Sequence, residues 1–200
     1  MSNLSETRHE TVKLTGIAIL SALIIVLQSL SNFVSFGAVS ITLALTPIII
    51  GAAVYGPTVG AMLGFVLSCI VLVSGLLGWD KGFVLMLMDM SPIGVLVIIF
   101  VKSPLAGWVS GLIYRGLEKK NSLAAVIAAG ILCPVINTGM FILLIILFYN
   151  DYMCSLAGDG GNVLLFAVTA FVGVNFLVEV IVNMVLSTGA DRIIRQVKKA

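Results

Sequence analysis

From Leu14 to Tyr114 the chain carries only four charged residues, Asp80, Lys81, Asp89 and Lys102, in a run dominated by aliphatic and small side chains. A water-soluble fold covers itself with polar groups, and a 200-residue chain that is 60% hydrophobic and 10% charged has too few of them. The expectation is an all-α integral membrane protein, a single domain over residues 1–200. Five apolar blocks carry the pattern, at roughly 14–34, 41–78, 83–114, 122–149 and 163–189. About 20 residues cross the hydrocarbon, so the second and third blocks are too long for one crossing each.

The second block contains its own punctuation. Pro47 and Gly51 precede the pair Gly56–Pro57, and a Gly-Pro pair makes a tight turn that prevents one continuous helix. Two helices, 41–55 and 57–78, are expected there.

Orientation follows from the basic residues. Arg8 and Lys13 precede the first block, Arg115, Lys119 and Lys120 follow the third, and Arg192, Arg195, Lys198 and Lys199 end the chain. Placing all three clusters in the cytoplasm requires an even number of crossings between them. Six satisfy this: 14–34, 41–55, 57–78, one within 83–114, 122–149 and 163–189. Residues 83–101 then read as a partly re-entrant or surface-lying outer segment, leading through Lys102-Ser103-Pro104 into a crossing that ends at Tyr114. The tails 1–13 and 190–200 are expected in the cytoplasm. The apolar run from Leu14 is longer than a signal-peptide core and is expected to be a retained first helix.

Several chemistries lack their residues. His9, in the polar N-terminal tail, is the one histidine, so a serine–histidine pair or a histidine-bound zinc inside the membrane is not available. Cys69, Cys133 and Cys154 are widely spaced and indicate neither a disulfide framework nor a metal site. The stretch GLLGWDKG, Gly75 to Gly82, lacks the order of a phosphate-binding loop. The chain is expected to be no enzyme, to hold no cofactor, to hydrolyse no ATP itself and to bind no nucleic acid.

Small residues form two ridges. Gly56, Gly60 and Gly64 recur every four residues, which lets helix backbones approach closely in lipid, where no hydrophobic drive joins helices. They read as internal packing. Ala18 and Ala22, also four apart in AILSA, fit internal packing or a partner subunit equally well.

Polar residues within or beside the apolar blocks are the site candidates. Asn175, Glu179 and Asn183 lie four apart and share one face of the sixth crossing. An ionisable group at that depth is costly and is a functional candidate, although an interhelical hydrogen-bond lock explains Glu179 as well, and explains Asn183 better. Asn137 follows Pro134, whose missing N–H frees a backbone carbonyl. On the outer side lie Asn32, Trp79, Asp80, Lys81, Asp89, Lys102, Tyr149 and Asn150, with a glycine-rich 150–162 loop that could act as a lid. Trp79 equally suits an interfacial anchor.

The stretch PIIIGAAVYGPTVGAMLG, Pro47 to Gly64, with the helix-one alanines, NFLVEVIVN at Asn175–Asn183 and basic cytoplasmic ends, resembles the substrate-binding S components of energy-coupling factor (ECF) vitamin transporters. The resemblance spans nearly the whole chain and is weakest over 83–101. It implies a cell-membrane, multi-pass subunit that binds a vitamin from outside and associates with a membrane T component and two ATPase subunits. It also implies that Ala18 and Ala22 touch the T component and that the subunit topples in the membrane to present its cargo inward. The ligand-binding candidates on this footing are Asn32, Trp79, Asp80, Lys81, Asn137, Asn150, Asn175 and Glu179. The Pro47 motif looks most similar to the pantothenate and pyridoxine-precursor members, pantothenate first, with riboflavin also open. A stand-alone secondary transporter of a small organic solute is the alternative class.

Overall fold

Gly56 and Pro57 end one helix and begin the next. Gly56 adopts a φ of 107°, a conformation open to glycine, while its N–H still donates to Ala52 O at 3.0 Å. Pro57 takes the first helical position, where its missing N–H leaves no bond unmade. The result is α2, Leu45–Tyr55, followed directly by α3, Pro57–Leu76.

The computed structural model describes residues 2–31, 42–80, 82–158 and 161–197, of which 2–9, 171–175, 190, 192, 193, 195 and 197 are described by backbone alone. Besides α2 and α3 the helices are α1 (Ser2–Ser31), α4 (Phe83–Met90), α5 (Pro92–Leu117), α6 (Ser122–Phe148), α7 (Asn150–Ala157), α8 (Val163–Ala167) and α9 (Gly173–Val197). A π-helical stretch, Val168–Val172, joins α8 to α9 without interruption. Among the described residues four segments are long and apolar enough to cross a membrane: Glu10–Ser31, Pro57–Leu76, Pro92–Leu117 and Ser122–Phe148. Leu45–Tyr55 and Phe176–Gly189 are shorter apolar helices.

The third apolar block divides earlier than the sequence suggested. The break falls at Ser91–Pro92, where Ser91 Oγ accepts from Gly94 N at 3.2 Å and Pro92 starts the helix. Residues 92–101, expected to re-enter or lie on the surface, are instead the first turns of α5, and Pro104 sits inside that helix. Membrane helices tolerate such a proline when neighbours reorganise the polar backbone around it. Here α3 does so: Gly64 lies against Ser103 O and the Pro104 Cα, and Ser68 Oγ donates to Ile99 O at 2.6 Å. Residues 150–157 of the expected lid loop are likewise helical, as α7.

The glycine ridge of α3 is internal. A Cβ on Gly60 would collide with the Gly107 carbonyl oxygen, and one on Gly107 with that of Gly60, so α3 and α5 meet backbone to backbone. Helix α2 is the centre of the bundle, with Leu45, Ile48, Ile49 and Ala52 almost fully enclosed. A second apolar cluster, including Leu87, Ile98, Ile145 and Met153, fills the opposite end. Large apolar side chains such as Ile19, Phe65, Ile93, Leu147 and Leu177 point outward. On a soluble monomer such a surface would be a liability, whereas here it matches lipid tails.

Several contacts define one end of the bundle. A Cβ on Gly56 would meet the Arg115 guanidinium, and one on Gly16 would meet the Tyr55 hydroxyl. Ser122 Oγ, at the start of α6, donates to Asp191 Oδ1 near the end of α9 at 2.7 Å. The α2–α3 turn therefore shares this basic end with the finish of α5.

Candidate functional site

At the end away from Arg115 the helices leave a cavity of about 100 Å³. Its wall is mostly apolar: Val71 from α3, Phe83, Val84 and Leu87 from α4, Val95, Ile98 and Ile99 from α5, and Phe141 from α6. Five polar side chains join them: Gln28, Thr42, Ser74, Asp80 and Lys102.

Lys102 is the one basic side chain among the described residues that line the cavity. It stands in the middle of α5, where a charge costs about 2.5–3.5 kcal/mol at the centre of a membrane helix, so something must compensate it. Its Nζ lies 5.2 Å from the Phe141 ring centroid, a cation–π arrangement, and it is near enough to Glu179 for the charges to interact. Phe141 is held in turn by Phe83, with centroids 6.4 Å apart.

Asp80 does different work. Its carboxylate accepts from Gly82 N at 3.1 Å and Val84 N at 2.8 Å, so it caps α4 while bordering the cavity. The roof above is pinned by Tyr149, whose hydroxyl lies 2.7 Å from Ser91 O and 3.1 Å from Leu87 O. Burial pushes the Tyr149 hydroxyl above the usual tyrosine pKa of 10.0.

Glu179 is 5% exposed and sits behind Lys102 without lining the cavity. Its Oε1 has no hydrogen-bond partner among the described residues. One turn further on, Asn183 Nδ2 donates to Glu179 O, and Asn183 Oδ1 accepts from Thr46 Oγ1, both at 2.8 Å. Asn137 is also buried outside the cavity, accepting from Ser103 Oγ at 3.2 Å.

The other residues singled out from the sequence are placed as follows. Trp79 is 49% exposed, and Asn150 is exposed at the start of α7, so neither borders the cavity. Asn32 and Lys81 lie outside the described residues, as does the side chain of Asn175. Ala18 and Ala22 are exposed on α1. Gln28, Thr42, Ser74 and Phe141 line the cavity and were not among the sequence candidates. For Gln28 a signal existed, because a lone amide near the end of an apolar helix needs a reason.

Residues 12–189 match the model of the family described as "ECF transporter, substrate-specific component". The chain belongs to that family. It is therefore a multi-pass protein of the cell membrane and a substrate-binding transporter subunit, not an enzyme. Substrate-specific components work with a T component and ATPases and bind a small vitamin. A solved structure of ThiT from Listeria monocytogenes shares the fold, with a TM-score of 0.66 at 19% identity over 95% of this chain and 98% of that one. No curated protein sequence matches this chain.

Proposed function

We propose that this S component captures a small acidic vitamin, pantothenate first, and delivers it through an ECF-type importer. The observation that carries the reading is Lys102, a cation lining an otherwise largely apolar cavity. A carboxylate placed there gains a charge-assisted hydrogen bond, worth about 1.5–3 kcal/mol. The aliphatic walls from α3, α4 and α5 suit a branched apolar body, and Gln28, Thr42 and Ser74 suit hydroxyl or amide groups. A neutral ring system such as riboflavin would gain no charge-assisted hydrogen bond from Lys102, which favours an acid. On this reading the chain holds no cofactor, and ATP is hydrolysed by the partner subunits.

The same proposal includes six crossings with both termini in the cytoplasm. Helix α2, at 11 residues, rises only about 16 Å and so needs the chain before it to complete a crossing. Placing the α2–α3 turn beside Arg115 supports the parity, since it returns α2 to the basic end and sends α3 outward. The Ser122–Asp191 contact supports the same end for the finish of α9.

The deciding experiment is identification, by mass spectrometry, of the small molecule that accompanies the purified protein, followed by calorimetric titration with pantothenate. An acid is expected. A neutral or cationic passenger, with no pantothenate binding, would overturn the reading.

A further inference from the structure

Gln28 is 5% exposed, lines the cavity, and has its Oε1 buried with no hydrogen-bond partner among the described residues. A carbonyl oxygen left in that condition weakens the fold, because its bonds to water are lost and not replaced. Nothing among the described residues repays it. Gln28 sits on the final turns of α1, within its long apolar stretch. A buried polar group that weakens the empty protein is accounted for when a bound molecule completes it.

We infer that Gln28 is a specificity-determining residue whose amide oxygen accepts a hydrogen bond from an N–H or O–H of the ligand. The inference rests on the cavity being the vitamin site and narrows the substrate class. The ligand carries, besides an anionic group for Lys102, a hydrogen-bond donor that reaches the α1 wall. A simple fatty acid or aliphatic carboxylate meets the first demand and fails the second. Because the α1 position is separate from the Lys102 anchor on α5, the two groups are read by different helices.

The placement also puts two features at different points of one helix. Ala18 and Ala22 are exposed on it, while Gln28 turns inward a turn and a half further along. A ligand held by Gln28 is thus bonded directly to the helix that carries the two alanines.

The test uses the full-length protein in detergent, with Gln28→Leu and Gln28→Met, which keep bulk and remove the acceptor. Ligand-free thermal stability is measured first, since it needs no knowledge of the ligand. Both variants are expected to melt at or above the parent, because an unsatisfied acceptor has been removed. Calorimetry with pantothenate should then show about tenfold to hundredfold weaker binding. Pantothenate analogues each lacking one hydroxyl complete a cycle: one of them should bind parent and variant equally. Lower ligand-free stability in both variants would make Gln28 a structural residue and overturn the inference, as would additive losses for every analogue. If the parent itself ignores pantothenate, the vitamin reading fails separately. In that case the passenger found by mass spectrometry is compared between parent and variants, and undiminished retention in the variants overturns the Gln28 role.

Discussion

Thr46 and Asn183, 137 residues apart, share a 2.8 Å hydrogen bond inside the bundle, and the same asparagine bonds to the backbone of Glu179. The pair ties the start of α2 to α9 and fixes the turn from which Glu179 projects behind Lys102. Asn183 is fully buried, so both halves of its amide are satisfied by protein.

Lys102 and Glu179 should separate affinity from stability. Lys102→Met is expected to weaken pantothenate by about tenfold to hundredfold in calorimetry. It also leaves Glu179 without its positive neighbour, which should lower the melting temperature. Adding Glu179→Gln should restore stability and leave binding weak. Recovery of binding in the double variant would show that Lys102 only neutralises Glu179.

Asn137 is expected to behave as a structural residue. Asn137→Leu leaves the Ser103 hydroxyl unpaired between α5 and α6, at a cost of about 1–3 kcal/mol of stability. Ligand affinity should match the parent. A loss of affinity without a loss of stability would place Asn137 in contact with the ligand.

Ala18 and Ala22 present a small-residue strip on the outer face of α1. Replacing both with Trp should abolish uptake and co-purification of the T component while calorimetric ligand binding persists. Loss of ligand binding together with complex formation would make them internal packing.

Topology can be read by labelling. Single cysteines at Lys119 and Asn162, both exposed, in a background lacking Cys69, Cys133 and Cys154, should react with an impermeant maleimide from opposite sides. Reaction of both from one side would overturn the six-crossing arrangement.

Tyr149 gives a pH dependence. Its folded-state pKa is raised by burial, so the fold favours the neutral phenol. The stability this confers is complete below the ordinary value of 10.0 and is lost as pH rises through the higher folded value. Melting temperatures followed from about pH 9 to about pH 12 should fall more steeply for the parent than for Tyr149→Phe. The variant should also be about 1 kcal/mol less stable at neutral pH, having lost its bond to Ser91 O. Parallel curves would show that the hydroxyl does not titrate with unfolding.

Composition and spacing determined that this chain lives in a membrane, that Gly56–Pro57 divides two helices, and that it resembles the ECF S components. Those features are local: a hydrophobic run, a turn dipeptide and a motif each declare themselves within about 20 residues. Tertiary structure decided the rest. Gly60 and Gly107 meet because two helices cross there, and Pro104 stays helical because α3 packs around its backbone, neither of which is written near those residues. The cavity gathers Gln28, Thr42, Ser74, Lys102 and Phe141 from distant parts of the chain. A lysine in an apolar helix announces only that it needs a partner. Which ring it lies over, which carboxylate stands behind it and which amide remains unpaired across the cavity depend on how helices far apart in sequence pack together.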